Sequence, residues 1–418
     1  MRLYLNGTDN KYAAEQTLLT LFPGEKPEYP EGPPEGERCE ISVREGERYV
    51  SCTAKLVRKG ETYRGAARAL RAKMADRDSA AHYNNRIIKL AFYRAALASG
   101  VPEPVWGCLT GVRPAKLMTA YLREGLSPRA AKGRFEREYF ASPERAGLCL
   151  NAALYSERER EKLAPRDVCL YVGIPFCPTR CAYCSFVSQS VEKSMKLVPG
   201  FLEALWEDIA ATGEAVRRAK LRPVALYMGG GTPTTLTAPQ LGELCSRLEA
   251  AFDLSALREY TVEAGRPDTI SLAKLETLSA HGVRRVSVNP QTMSDSVLEA
   301  IGRRHTARDI IDALGLVRSA GGFDVNMDLI AGLPTDTAAG FSDTLTRVLE
   351  LRPENITVHT LSMKRGSTLT VTGGEHPAAE AVGEMLSGAL ERLPAAGYEP
   401  YYLYRQKYMS GGFENVGW

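Results

Sequence analysis

The segment CLYVGIPFCPTRCAYC, residues 169–184, begins as a strand and ends as a loop that carries three cysteines. Its first part, residues 169–176, is a short apolar run with β-branched side chains, which predicts a strand. The thiols of Cys177, Cys181 and Cys184 follow this run directly, within eight residues of one another. The segment therefore predicts a strand whose carboxyl end leads into a reactive loop.

From Cys169 onward the chain repeats the same pattern of an apolar run, a polar turn and an amphipathic helix. Alternating strands and helices predict a parallel sheet with right-handed crossovers, either doubly wound or curled into a partial barrel. In both folds, ligands bind at the carboxyl ends of the strands. The predicted strands are residues 169–176, 224–230, 259–265, 285–291, 324–332 and 355–361, and the predicted helices are residues 196–220, 238–252, 271–281, 306–320, 340–351 and 378–396.

The unusual residues of this repeat lie at the ends of the predicted strands. Cys177 follows the first strand, and the turn Gly229–Thr234 follows the second. Glu263 closes the third strand, Gln291 closes the fourth, and Asp328 lies late in the fifth. Unrelated structural residues would have no reason to share one edge of a sheet, so we expect a single site there.

The three cysteines have the spacing Cys-x3-Cys-x2-Cys. Iron–sulfur clusters are held by thiolates, and a compact loop can hold three corners of a cubane while the fourth iron stays open. An open position distinguishes a reactive metal centre from a closed structural one. The alternative is a zinc site, but zinc prefers four ligands and the next histidine along the chain is His281. We predict a 4Fe-4S cluster on Cys177, Cys181 and Cys184.

The rest of the chain suggests three regions. Residues 1–160 predict a small α+β domain with a helical connector, and we find no catalytic constellation in it. Residues 161–400 carry the βα repeat, and residues 401–418 are expected to be the start of a C-terminal segment that is truncated at Trp418. In the first region the predicted strands are Arg2–Asn6, Arg38–Arg44 and Arg48–Val57, the predicted helices include Lys11–Leu21 and Tyr83–Ser99, and Phe22–Glu37 is a loop rich in Pro, Gly and Glu.

Composition narrows the class of protein. With 25% charged and 44% hydrophobic residues in 418, the chain predicts a globular protein of more than one domain. A net charge of +3 gives no reason to expect an obligatory nucleic-acid partner. The N-terminus MRLYLNGTDN lacks a signal peptide and no apolar run could span a bilayer, so we expect a cytoplasmic protein. Six further cysteines are expected to be structural, buried thiols: Cys39, Cys52, Cys108, Cys149, Cys169 and Cys245.

Taken together, these motifs resemble a radical S-adenosylmethionine (SAM) family. The similar group contains oxygen-independent coproporphyrinogen III oxidase, its haem-chaperone relative and the HemZ-like dehydrogenase subgroup, and the resemblance covers about residues 169–370. The HemZ-like subgroup is the most similar, because of Gly173–Phe176, Leu109–Pro114 and Tyr404–Lys407. The motifs that carry the resemblance are Tyr171–Cys184, Gly229–Thr234, Val288–Gln291 with Gly302–Arg303, and Asp328–Pro334.

The resemblance implies a partial (β/α)6 TIM-like barrel that binds a 4Fe-4S cluster and SAM. It also implies the oxidative decarboxylation of coproporphyrinogen III propionates to vinyl groups through a 5′-deoxyadenosyl radical. The implied partners are a tetrapyrrole substrate or haem, and an electron donor such as flavodoxin or ferredoxin. The implied SAM contacts are Tyr171, Tyr183, Gly230, Gly231, Thr232, Glu263, Gln291, Arg303, Asp328 and Ile330. The alternative role of four of them, Glu263, Gln291, Arg303 and Asp328, is that of a helix cap or a surface pair.

Other functions stay open because the chain departs from the oxidase pattern. Phe186 stands where the oxidase has a further cysteine, Gly173 where it has a histidine, and the segment Asn415–Trp418 is more similar to the chaperone. A haem-binding transfer protein, with His359 or His305 as axial ligand, is one alternative. A radical SAM enzyme acting on another substrate, including transfer RNA, is the other. Cations that could bind substrate carboxylates are Arg180, Arg266, Lys364, Arg365, Arg405 and Lys407.

Overall fold

The computed structural model describes residues 1–111, 113–186, 188–364, 366–372, 377–405 and 412–418. The chain divides into two compact units, residues 1–150 and 151–418. The division lies within the helix Pro143–Glu161, which contains the boundary expected from sequence at residue 160. No helix within the described ranges is long and apolar enough to cross a membrane.

The first unit is a four-stranded sheet with helices. Its strands lie in the order β1-β2-β3-β4; β1 and β2 are parallel and the other neighbours are antiparallel. Buried apolar side chains of the sheet, such as Ile41 and Leu56, share one core with Ile88 and Phe92 of α2. The elements are β1 Arg2–Asn6, α1 Lys11–Leu21, β2 Arg38–Glu45, β3 Tyr49–Arg58, β4 Glu61–Leu70, α2 Arg77–Ala98, α3 Pro114–Arg123, α4 Pro128–Tyr139 and α5 Pro143–Glu161.

The sequence analysis missed β4. Its sequence, ETYRGAARAL, alternates charged with small residues and holds few of the β-branched or aromatic side chains that mark strands. The small residues are needed because α2 lies close to the strand: a Cβ on Gly65 would come within 2.1 Å of the Ala91 carbonyl oxygen. Because the helix packs closely on β4, small residues occupy this strand in place of the β-branched and aromatic side chains by which a strand is recognised in a sequence.

In the second unit strands and helices alternate along the chain, and most of the strands form one main sheet. Within this unit, the short β6 and β7 pair with each other beside the main sheet. Its elements are β5 Asp167–Ile174, β6 Phe176–Cys177, β7 Gln189–Ser190, α6 Val191–Ser194, α7 Val198–Arg218, β8 Arg222–Gly230, α8 Ala238–Ala251, β9 Glu259–Val262, α9 Leu272–Ala280, β10 Arg285–Ser287, α10 Asp295–Ala300, α11 Ala307–Ala320, β11 Asp324–Ala331, α12 Ala338–Leu351, β12 Asn355–Thr360, α13 Thr368–Thr372, α14 Ala379–Ala395, β13 Tyr402–Arg405 and β14 Glu414–Gly417.

The main sheet confirms the partial barrel. Its parallel strands follow one another in chain order, β5-β8-β9-β10-β11-β12, with helices between them. At one edge, β14 pairs antiparallel with β12, and β13 pairs antiparallel with β14. The strands Tyr402–Arg405 and Glu414–Gly417 thus extend this sheet. The other edge strand is β5, so the sheet is open in the described part of the chain.

Side chains along the strands point alternately to the two faces of the sheet, and one face is apolar and packs in the core while the other face is polar. In β11, Val325, Met327 and Leu329 are buried apolar side chains. Asp328 points to the opposite face, where its carboxylate accepts a hydrogen bond of 2.8 Å from the Asn289 side chain. The inner face of the sheet therefore presents polar groups.

Two strands end three or more residues earlier than predicted: β9 ends at Val262 and β10 at Ser287. The reason in β10 is Pro290, which has no N–H to give to a ladder. Gln291 nevertheless stays beside β11, because its N–H donates to the Asp328 carbonyl at 2.9 Å and its carbonyl accepts from Ile330 at 3.0 Å. Its φ of +66° is unusual for a residue with a side chain. The loop thus holds Gln291 at the strand edge through strained backbone.

Candidate functional site

The cysteine loop begins at the carboxyl end of β5. Cys177 lies in β6 and pairs with Ser190 of β7, while Cys184 N–H donates to the Cys181 carbonyl in a tight turn. The three thiols are partly exposed. Of the six other cysteines, five are buried as expected; Cys169 is exposed, because its side chain lies on the same open face of edge strand β5 as Tyr171.

Two arginines set the electrostatics of the loop. Arg266 Nη1 donates to Thr179 Oγ1 at 3.1 Å and lies 3.8 Å from Cys181 Sγ. Burial opposes ionisation of Cys181, but the charges of Arg303 and Arg266 outweigh it and lower the pKa of this thiol. Burial raises the pKa of Cys177. Since the thiolate is the metal-binding form, the arginines favour ligation at Cys181.

The glycine-rich turn after β8 lies against the end of β5. Gly231 N–H donates to the Ile174 carbonyl and Thr232 N–H to the Phe176 carbonyl, each at 2.7 Å. A Cβ on Gly231 would come within 2.5 Å of that Phe176 oxygen, so only glycine fits. The turn places Thr232 Oγ1 at 3.6 Å from Cys177 Sγ. Backbone of the turn is therefore fixed next to the cysteine loop.

Two carboxyl groups in the interior have opposite environments. Burial raises the pKa of Glu263, which accepts a hydrogen bond from the Tyr227 hydroxyl. Burial also disfavours the charge of Asp328, but His359 and the side-chain hydrogen bonds of Asp328 outweigh this effect and lower its pKa. His359 Nε2 lies 3.9 Å from Asp328 Oδ1. The surroundings of Asp328 therefore favour its ionised form, and those of Glu263 favour its protonated form.

Arg303 joins the cysteine loop to the loop after β10. Its Nη1 donates to the Asn289 carbonyl at 2.7 Å and its Nη2 to the Tyr183 hydroxyl at 3.0 Å. Its buried Nε has no hydrogen-bond partner in the described part of the chain. An arginine with one donor left over is suited to an anionic ligand.

These elements enclose one cavity of about 280 Å³. Tyr171 is the implied SAM contact that does not line it: its side chain is 64% exposed and stacks on Tyr227, with ring centroids 6.0 Å apart. Sequence reasoning did not assign Asn289 or Thr360, which also line the cavity; the inward parity of Asn289 with Gln291 was the available signal. The other candidate residues lining the cavity are Cys177, Cys181, Tyr183, Cys184, Gly230, Gly231, Thr232, Glu263, Gln291, Arg303, Asp328 and Ile330.

The cations suggested for substrate carboxylates separate into two groups. Arg180 and Lys364 line the cavity. Arg266 also lines it but is only 3% exposed and forms a two-point ion pair with Asp268 at 3.2 Å, so its guanidinium is already engaged within the fold. Arg405 is buried and donates to the Gly412 carbonyl, so it too is engaged elsewhere. The remaining two, Arg365 and Lys407, lie outside the described residues.

The two histidines considered as axial ligands also differ. His359 lines the cavity with a side chain that is 38% exposed. His305 is 5% exposed, and burial lowers its pKa to about 3. Both of its ring nitrogens are buried without a hydrogen-bond partner among the described residues. Only His359 is placed to reach a ligand in the cavity.

The donor set fits a thiolate-held cluster. No three His, Cys, Asp or Glu side chains of the described residues converge to hold a single metal ion. A cubane sets its thiolates farther apart than one zinc ion does. The partly exposed thiols, the adjacent arginines and the unpaired Nε of Arg303 all suit a cluster with an anionic ligand beside it.

Comparison with known proteins gives consistent results. Residues 171–348 match the family model of the radical SAM superfamily. The oxygen-independent coproporphyrinogen-III oxidase-like protein HemZ of Bacillus subtilis is 39% identical over 323 residues, which are 75% of this chain and 64% of that protein. The haem chaperone HemW of the same organism is 31% identical over 236 residues, 55% of this chain and 61% of that protein. The chain spans less than two thirds of the length of either relative.

A solved structure supports the fold. Coproporphyrinogen III oxidase from Escherichia coli, described as a radical SAM enzyme, superposes with a TM-score of 0.51 at 28% sequence identity. The superposition covers 59% of this chain and 56% of that one. The chain thus contains a domain of the radical SAM superfamily, and it is related to the oxygen-independent coproporphyrinogen III oxidases, their HemZ-like relatives and the haem chaperones.

Proposed function

We propose that the chain binds a 4Fe-4S cluster through Cys177, Cys181 and Cys184, binds SAM beside it, and oxidises coproporphyrinogen III. The observation that carries the proposal is the single cavity that joins the three thiols, the glycine-rich turn and polar side chains from several strand ends. A cluster with only three protein ligands leaves one iron for a small molecule, and the cavity supplies polar groups around that position.

The chain's own residues have complementary roles in binding SAM. Glu263 and Asp328 can accept hydrogen bonds from an ammonium group or from ribose hydroxyls. The free Nε of Arg303 can donate to a carboxylate. The turn at Gly230 and Gly231 has no side chains to keep the ligand away from its backbone. These residues would bind and orient SAM.

The cofactors supply the radical, and the chain positions it. A cluster held by Cys177, Cys181 and Cys184 would, when reduced, supply the electron for cleavage of the carbon–sulfur bond of SAM to methionine and a 5′-deoxyadenosyl radical. Ile330 and Leu361 add buried apolar surface to the same cavity, and this surface would help to keep water away from the radical.

The coproporphyrinogen substrate rests on the 39% identity to the HemZ protein and on two cations. Arg180 and Lys364 line the cavity beside the cysteine loop and could hold propionate carboxylates. In the reaction, the radical takes a hydrogen atom from the β-carbon of a propionate. Carbon dioxide would then leave, an external one-electron acceptor would take up the remaining electron, and a vinyl group would result.

The test is product analysis under anaerobic conditions. The protein is reconstituted with iron and sulfide and given dithionite, SAM and coproporphyrinogen III. We expect 5′-deoxyadenosine together with protoporphyrinogen and carbon dioxide. Deoxyadenosine without any change in the porphyrin would remove the substrate from the proposal and leave the radical SAM chemistry.

A haem-binding role is the second candidate, and the position of His359 favours it. This side chain is partly exposed in the cavity next to Asp328, which could hold its ring in place. A haem titration of the reconstituted protein would show a Soret shift at one equivalent, and His359→Ala would abolish it while cluster content stays the same. If no shift occurs with the wild-type protein, the transfer role is refuted.

A further inference from the structure

A surface behind the cysteine loop has features that the binding of SAM does not explain. The short segment Val191–Leu197 follows β7 directly, and β7 pairs with β6 at Cys177. Ser190 Oγ donates to the Pro178 carbonyl at 3.1 Å, which ties the segment to the loop. This surface is therefore an outer face of the loop that holds the thiols. We call it the donor face and define it by Lys193, Met195, Lys196 and Leu197.

The donor face exposes apolar side chains on an anchored backbone. Met195 is 59% exposed and Leu197 is 51% exposed. The residues on either side are buried: Ser194 donates from Oγ to the Ser190 carbonyl at 2.6 Å, and Val198 packs into the core. Adjacent exposed apolar groups on a fixed segment are typical of a surface that a partner covers.

The charged groups of the donor face are positive and unpaired. Lys193 and Lys196 are exposed, and within the described residues no carboxylate lies within salt-bridge distance of either of them. Lys193 lines a cleft of about 920 Å³ together with the ion pair of Arg304 and Glu192, and the carboxylates of Asp295 and Glu299 also line this cleft. Free cations around an apolar centre complement an acidic protein surface, because they attract it at a distance and the apolar groups hold it on contact.

We propose that the donor face is the docking site for a small acidic protein that carries one electron at a time. The inference rests on the proposed function, in which each SAM cleavage consumes one electron. In each turnover the carrier would be oxidised by one electron, which would serve the reductive cleavage of the SAM carbon–sulfur bond into methionine and a 5′-deoxyadenosyl radical. The electron has a short path, since β7 contacts Cys177 directly.

The test compares a protein donor with a chemical one. Wild-type protein and the double variant Lys193→Glu/Lys196→Glu are reconstituted, and 5′-deoxyadenosine formation is measured with reduced flavodoxin, with reduced ferredoxin and with dithionite. Two charge reversals should raise the KM for the protein donors by roughly tenfold or more. A higher salt concentration should reduce the difference in KM between the wild type and the double variant. The dithionite-driven rate should be unchanged, because dithionite needs no docking surface.

Two further variants serve as controls. Lys220→Glu makes the same reversal at an exposed site before β8, at the opposite end of the strands from the cysteines, and should leave the KM for the protein donors unchanged. Met195→Ser/Leu197→Ser removes the apolar contact and should weaken both protein donors without altering the salt dependence.

The outcomes separate the two proposals. If wild-type protein forms no deoxyadenosine with dithionite, the proposed function is refuted. If dithionite supports turnover while the double reversal works with both protein donors as well as the wild type does, the docking face is refuted. Turnover with dithionite and with neither protein donor would also overturn it.

Discussion

Arg266 should raise the reduction potential of the cluster. Its guanidinium lies 3.8 Å from Cys181 Sγ and is almost fully buried. Net charge and hydrogen bonds to the ligand sulfurs set cluster potentials, and a nearby positive charge favours the reduced form. We expect Arg266→Gln to make the midpoint potential more negative.

The magnitude follows from Coulomb's law. Added charge spreads over the cluster, so a separation of roughly 8 Å and an effective dielectric constant of about 20 give about 2 kcal/mol. For one electron, about 1.4 kcal/mol corresponds to about 59 mV, which gives a shift of roughly 50–100 mV. Loss of the hydrogen bond to Thr179 should also cost about 1.5–3 kcal/mol of unfolding free energy.

An anaerobic redox titration followed by electron paramagnetic resonance measures the shift. Arg266→Lys keeps the charge and should lie closer to the wild type. Arg247→Gln, which removes an exposed arginine paired with Glu243 on α8, should not move the potential. A fully reconstituted Arg266→Gln protein with a midpoint within about 20 mV of the wild type would refute the reasoning.

Three further predictions concern stability and SAM binding. Gly231→Ala places a Cβ within 2.5 and 2.8 Å of two backbone carbonyl oxygens. Equilibrium dialysis should therefore show at least a tenfold loss of SAM affinity. The control Gly200→Ala, which has no atom near its Cβ, should bind SAM with the affinity of the wild type. Tyr227→Phe removes the hydroxyl donor of the buried Glu263 carboxyl and leaves it the backbone hydrogen bond of Gly230, so the unfolding free energy in urea should fall by about 1–3 kcal/mol. An unchanged value would contradict a contribution of the Tyr227 contact. Burial lowers the pKa of His305 from 6.5 to about 3, so below pH 6.5 the unfolded chain takes up a proton that the folded chain does not. Between pH 7.5 and 5.5 the unfolding free energy of the wild type should therefore fall by about 1 kcal/mol more than that of His305→Leu. An equal decrease in the two proteins would disprove this effect of His305.

Sequence periodicity predicted the barrel because its strands are apolar runs between helices with a period near 3.6. It overestimated β9 and β10, since the end of a strand depends on ladder hydrogen bonds with its neighbours. In β10, Pro290 breaks the ladder while side-chain periodicity continues. It missed β4 in the first unit for the converse reason: close helix packing required Gly65, and small residues carry little strand signal.

The candidate site was predictable where the backbone alone decides position. Strand ends bring Glu263, Gln291 and Asp328 to one edge, and the sequence contains those ends. The sequence alone does not show which groups a long side chain contacts in the folded protein. Arg266 suggested a free substrate contact, yet its ion pair with Asp268 and its contact with the cysteine loop arise only in the folded chain.

The central claim is that Cys177, Cys181 and Cys184 hold a cluster that cleaves SAM. The most direct measurement is 5′-deoxyadenosine formation from SAM and dithionite by the anaerobically reconstituted protein, compared with Cys181→Ser treated in the same way. The account predicts deoxyadenosine in proportion to cluster content in the wild type, and none in the variant. A wild-type protein with a full complement of iron and sulfide that releases no deoxyadenosine would contradict the account.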